Sequence, residues 1–166
     1  MRSAYSPAAI ANFFLKRAAR EGKPITQMKL HKLVFYAHGW TLGILERPLL
    51  NETVQAWKYG PVVPSLYYEF LEYGSTPIDR LATELDPEAD LRTEDKDVLA
   101  LLERIWQVYG AFSAAQLSAK THEPGSPWDR TWRESCGIKT EIPNKLIREF
   151  FAEKALANRD ARELVQ

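Results

Sequence analysis

The stretch TQMKLHKLVFYAHGWTLGI, residues 26–44, limits the possible folds more than any other. Leu30, Leu33, Val34, Ala37, Thr41 and Ile44 recur at the three- and four-residue spacing that lays one apolar stripe along a helix. Phe35 and Leu42 add a second apolar face. A helix that is apolar on two sides has to be covered on both, so this segment must be central, with other elements packed around it. Thr26 supplies its N-cap.

The covering elements can be read from their start and stop signals. Ser6 before Pro7 predicts a helix to about Glu21, with Ile10, Phe13, Phe14 and Ala18 inward, ended by Gly22 and Pro24. TVQAW, residues 53–57, alternates as a short strand does, and YGP at 59–61 is expected to break it. Pro64 opens a helix to about Tyr73, before Gly74. Residues 75–92 read as irregular and acidic. Thr93 is the expected cap of a helix over 94–109, and Ser113 with Gln116 forms a capping box for a short helix to about Lys120. Pro127 starts another short helix holding Trp128 and Trp132. Pro143 starts the last, whose apolar face is Leu146, Ile147, Phe150, Phe151 and Leu156.

The fold class expected is therefore mainly α: a compact helical domain with a small antiparallel β element near residues 53–58. A length of 166 residues, 45% of them hydrophobic, suits one domain around one core. No repeat, low-complexity tract or linker divides the chain, so residues 1–166 are read as a single domain, with a frayed tail over 158–166. No apolar run has membrane-spanning length, and MRSAYSPAAIANFF lacks the basic and apolar regions of a signal peptide. Cys136, the only cysteine, suits a cytoplasmic protein.

Charge is balanced overall but unevenly distributed. Residues 1–60 carry +6, residues 61–103 carry −8 and residues 104–166 carry +2. The acidic stretch 84–97 is either a solvated face or a surface that steers a basic partner. A neutral chain argues against dedicated nucleic-acid binding, whose usual mark is a basic face.

Few residues carry chemistry. His31 and His38 lie seven apart, about 10.5 Å along a helix, too far to share a metal. His122 has Glu123 beside it but no second ligand at metal spacing. This spacing, together with the lack of a GxSxG or other nucleophile motif, predicts no metal, no cofactor and no catalytic residue. Asp86, Glu88, Asp90 and Glu94 lack the glycine and terminal glutamate of a calcium loop. Two aromatic–proline segments remain, AWKYGPVVP and LSAKTHEPGSPWDRTW. In them Trp57, Trp128 and Trp132 are read as core, while Lys58, Tyr59, Gly60 and His122 are the candidate contact residues. Trp57 is expected to be buried beneath an exposed Lys58 and Tyr59. Strand alternation places 57 and 59 on one face, so this holds only if the turn begins early.

The run KLHKLVFYAHGWTLGILERPLLNETVQAWKYGPVVPSLYYEFLEYG, residues 29–74, followed by LSAKTHEPGSPW, residues 117–128, resembles the Panacea or SocA-associated domain. It carries that family's K-L-x-K-L helix, Y-A-x-G-W end, P-L-x-x-E segment, A-W-x-x-G-P-V-V-P turn and L-S-x-x-T-H-x-x-x-x-P-W segment in order. The match runs over about residues 8–152; His31 and Phe35 stand where other polar and aromatic residues are common. The resemblance implies an antitoxin of a bacterial or phage toxin–antitoxin pair. Such a protein neutralises a cognate protein toxin by direct binding, and one branch delivers its toxin to an ATP-dependent protease. The partner-binding residues expected are Lys58, Tyr59, Gly60, Pro61, His122 and Trp128. Oligomeric state is left open. Two other classes also stay open: a DNA-binding regulator using helices 7–21 and 26–44 as a helix-turn-helix, and a hydrolase-type enzyme using His122, Glu123 and Asp129.

Overall fold

The computed structural model describes residues 4–83 and 91–158. Residues 84–90, the first half of the acidic stretch, and 159–166, most of the expected tail, lie outside the described residues. Seven α-helices and a three-stranded antiparallel sheet make up the described part, as the mainly α reading requires.

Helix α1 (Pro7–Arg20) starts where Ser6 Oγ accepts the Ala9 N–H, and α2 (Gln27–Trp40) starts where Thr26 Oγ1 accepts the Lys29 N–H. From Leu30 to Trp40 every residue of α2 is buried. The two-faced apolar pattern thus has its consequence: α2 is the axis of the molecule. It is covered by α1, α4 (Lys96–Tyr109), α5 (Ala114–Thr121) and α7 (Asn144–Ala157). A helix covered on all sides cannot lie in a DNA groove, which removes the helix-turn-helix reading of α1 and α2.

The last turn of the expected 26–44 helix is not α-helical. Thr41–Leu45 widens into a π turn that ends at Glu46 with φ 56°. The reason lies opposite, in α7. A β-carbon on Gly39 would overlap the Phe151 ring, and one on Gly43 would come within 2.8 Å of the Ala152 nitrogen. The two glycines let α7 approach at backbone distance, and Phe151 fills the gap, packing edge-on against Trp40 at 5.1 Å.

The β element differs from expectation in extent. YGP does not end the strand but turns it. β1 (Val54–Trp57) and β2 (Gly60–Val62) form a hairpin pairing Trp57 with Gly60 and Gln55 with Val62. β3 (Thr140–Ile142) pairs with the other side of β1, giving the order β2-β1-β3. Pro61 is tolerated because β2 is an edge strand, where a missing N–H leaves no ladder bond unmade. Helices α3 (Pro64–Glu69) and α6 (Pro127–Glu134) start at their prolines as expected, but α3 stops four residues short of Tyr73 and a separate 3-10 turn covers Leu71–Tyr73; the Ser113–Gln116 capping box closes on both sides.

Three details correct the sequence reading. The residue at the cap of α4 is Asp95, not Thr93, and its carboxylate does not cap the helix. It is fully buried, accepting from Tyr5 Oη at 2.8 Å and from the Arg47 guanidinium at 2.8 and 3.3 Å. Leu156, assigned to the inner face of α7, is exposed. Trp57 is only half-buried, because the β1 alternation turns Val54 and Ala56 inward and Gln55 and Trp57 outward.

Candidate partner-binding site

The β1–β2 hairpin has a two-residue turn, Lys58–Tyr59. Neither residue has positive φ, so the turn is not one of the mirror-image types whose twist suits a tight hairpin. Gly60 makes the correction at φ 124°, a conformation that side chains rarely adopt. It is also the point of closest approach to α2: a β-carbon there would lie 2.7 Å from Lys32 Cε and 2.8 Å from Nζ. The glycine is needed for both reasons.

The turn is held from below by α5 and α6. Trp128 Nε1 donates to the Trp57 carbonyl at 2.7 Å, and Ser118 Oγ donates to the Tyr59 carbonyl at 3.3 Å. The His122 ring lies 3.8 Å from the Trp128 ring, and its Nδ1 donates to the Ser118 carbonyl at 2.5 Å. Trp132 stacks on the far side of Trp128 at 5.7 Å. Residues that lie 59 and 71 positions apart in sequence are thus bonded at one corner.

Each expected contact residue can now be placed. Tyr59 is 65% exposed and Lys58 is exposed, with its ammonium 5.5 Å from the Tyr59 ring. His122 is half-buried. Gly60, Pro61 and Trp128 are buried and shape the surface from beneath. Trp57 borders the turn, with Tyr67 against its edge at 4.9 Å and the Lys139 ammonium 4.0 Å over its face.

The carboxylates proposed to work with His122 are engaged elsewhere. Glu123 pairs with Lys154 at 2.9 Å. Asp129 accepts the Gly125 N–H at 2.8 Å and pairs with Arg133, and that backbone bond, followed by the arginine, holds its carboxyl below the usual range. The imidazole Nδ1 is hydrogen-bonded to Ser118 and Thr121 and to neither carboxylate, and His122 is only a lesser electrostatic neighbour of Asp129. His31 and His38 have structural partners: His31 accepts the Val63 N–H and His38 accepts the Leu50 N–H. Among the described residues no cluster of three or more potential ligands could hold a metal.

One residue of this corner was missed. Lys32 is 2% exposed beneath the hairpin, and burial pushes its ammonium down to about 8. The signal was present: a lysine inside a helix apolar on two faces has little chance of reaching solvent.

The family model for the antitoxin SocA-like, Panacea domain matches residues 30–129, which span this corner from α2 to α6. The chain belongs to that family. The chain is also 35% identical over 151 residues to Antitoxin SocA of Caulobacter vibrioides, covering 86% of this chain and 80% of that protein. No solved structure matches significantly. The motifs that define the Panacea resemblance in the sequence thus have structural tasks here. The two glycines of AHGWTLG admit α7, WKYGP builds the hairpin turn, and THEPGSPW carries the tryptophan that anchors it. No helix of the described residues is long and apolar enough to cross a membrane.

Proposed function

We propose that this chain is an antitoxin acting as a single domain, and that it neutralises a cognate protein toxin by direct, non-enzymatic binding through the β1–β2 turn and the α5–α6 corner. The observation that carries the reading is the presentation of Tyr59. A large aromatic side chain stands 65% exposed on a turn whose carbonyls on either side of Lys58 are both anchored. An exposed aromatic on a mobile loop would lose entropy on docking, whereas one on a fixed turn loses little. Lys58 and His122 flank it, and Gly60, Pro61 and Trp128 keep the turn in place. Family membership supports the antitoxin role.

The test is co-expression. The product of the gene adjoining this one is expressed alone and together with this chain in a heterologous host. Growth arrest by the neighbour alone, and rescue by this chain, is the expected result. Absence of rescue by a soluble, folded chain would contradict the reading. Toxin levels in rescued cells then separate two modes: unchanged levels mean occlusion, and falling levels mean delivery to an ATP-dependent protease.

A further inference from the structure

Beside the Lys58–Tyr59 turn lies a cavity of about 340 Å³. Its walls include Trp57, Tyr59 and Tyr67, and three lysines line it: Lys32, Lys58 and Lys139. No aspartate or glutamate does. The lysines differ in setting. Lys58 and Lys139 are exposed, and each ammonium lies over an aromatic face, of Tyr59 and Trp57 respectively. Lys32 is 2% exposed, runs beneath Gly60 and has no hydrogen-bond or ion-pair partner among the described residues. No side-chain nitrogen or oxygen sealed from solvent lacks a partner there. The unpaired Lys32 nitrogen is therefore not sealed, and its opening is the cavity it lines.

A buried cation without a counter-charge is costly, and chains keep one where something else supplies the charge. We propose that this pocket receives the carboxylate side chain of an acidic residue on the protein partner, seated on the Lys32 ammonium and walled by Trp57, Tyr59 and Tyr67. The proposal rests on the antitoxin reading for the identity of the partner as a protein. The choice of a carboxylate follows from the charge count. The floor of the pocket offers one enclosed positive charge, and the other two cations already sit on aromatic rings. One carboxylate matches the single enclosed ammonium, while Lys58 and Lys139 at the exposed rim keep their charges and draw an acidic side chain inward. The aromatic walls exclude water from the pair, which strengthens the bond that forms.

The test uses the full chain labelled with ¹³C at lysine side chains, following the Lys32 Cε resonance by NMR. Four probes are titrated: a capped tetrapeptide acetyl-Ala-Leu-Glu-Ala-amide, its glutamine twin, the peptide acetyl-Ala-Leu-Ala-Ala with a free C-terminus, and inorganic phosphate. The glutamate peptide is expected to shift the Lys32 resonance saturably. The glutamine twin should bind about ten- to hundredfold more weakly, the ratio set by one charge-assisted hydrogen bond. Lys32→Met should keep its melting temperature or raise it, and lose the preference for glutamate over glutamine. In co-expression it should rescue more weakly than the wild type, while Lys16→Met, at an exposed lysine of α1 that does not line the pocket, should rescue normally. Equal binding of glutamate and glutamine peptides, tighter binding of phosphate or of the free C-terminus, or an unchanged preference in Lys32→Met would each overturn the proposal. If Lys32→Met fails to fold, the four-probe titration of the wild type decides alone. The two readings fail separately: a wild-type chain that rescues growth but shows no glutamate preference sinks the pocket and spares the antitoxin, and the reverse result does the opposite.

Discussion

Burial moves the protonation equilibria of His31, Lys32 and His38, among other side chains of α2, far from those of the unfolded chain. His31 Nδ1 accepts the Val63 N–H at 3.4 Å, and His38 Nδ1 accepts the Leu50 N–H at 3.3 Å, so a proton on either Nδ1 would break a bond to the backbone. Their Nε2 atoms donate to Gln27 and Asn144. Burial pushes His31 down to about 3 and His38 down to about 4, from 6.5. Below pH 6.5 the unfolded chain takes up protons that the native state refuses, so stability falls with pH. Each histidine contributes about 1.4 kcal/mol per pH unit between pH ~6 and ~4. His38→Gln is expected to flatten that limb by one proton, read from urea unfolding at several pH values. Lys32 behaves in the opposite range. Its folded value of about 8 lies below 10.5, so between these limits the unfolded chain keeps a proton that the native state has released, and stability rises with pH. Lys32→Met should abolish that rise and add up to ~3 kcal/mol at pH 7. A variant no more stable than the wild type, with the rise between pH 8 and 9.5 intact, would show that the ammonium is solvated.

Between elements, the decisive contacts are those where backbone meets backbone. Gly39→Ala would drive a methyl group into the Phe151 ring, and Gly43→Ala would push against the Ala152 nitrogen and the Phe151 carbonyl carbon. The first can be relieved by ring movement and is expected to cost about 1–3 kcal/mol, as overpacking does. The second meets backbone and should cost more, lowering the thermal midpoint further and loosening α7. The hairpin offers a milder case. Trp57 contacts Tyr67, Lys139 and Gln55 on the outer sheet face, so Trp57→Ala should cost ~2 kcal/mol, below the range for a fully buried aromatic. The elements themselves were largely legible, because Ser6, Thr26, Ser113 and the prolines at 7, 64 and 127 announce helix starts within the local sequence. β3 was not. Three residues of Thr-Glu-Ile carry no periodicity, and their pairing partner lies some eighty positions earlier, so only the assembled fold makes them a strand. The π turn escaped for a similar reason: it answers to α7, not to the sequence of α2. Nothing in the local sequence marks Asp95, because its role depends on Tyr5 and Arg47, distant in sequence.

At the scale of the whole molecule, α2 fixes the rest by demanding cover, and the hairpin and the α5–α6 turn meet over its first half. The antitoxin family was legible from motifs, whereas the division of labour at the corner was not. Gly60, Pro61 and Trp128 stood in the sequence beside Lys58 and Tyr59 with equal claim, and only burial separates supports from presented groups. On the proposed reading, the fixed turn presents Tyr59 to the toxin. Tyr59 makes few contacts within its own chain, so Tyr59→Ala should leave the melting temperature nearly unchanged. As an interface anchor it should weaken binding by about 1–3 kcal/mol. The direct measurement is the dissociation constant for the purified toxin by calorimetry, taken for wild type and Tyr59→Ala alongside both melting temperatures. Weaker binding at an unchanged melting temperature is the predicted result. A variant that melts early yet binds as tightly as the wild type at low temperature would contradict the account, and the turn would then be only a lock on the sheet.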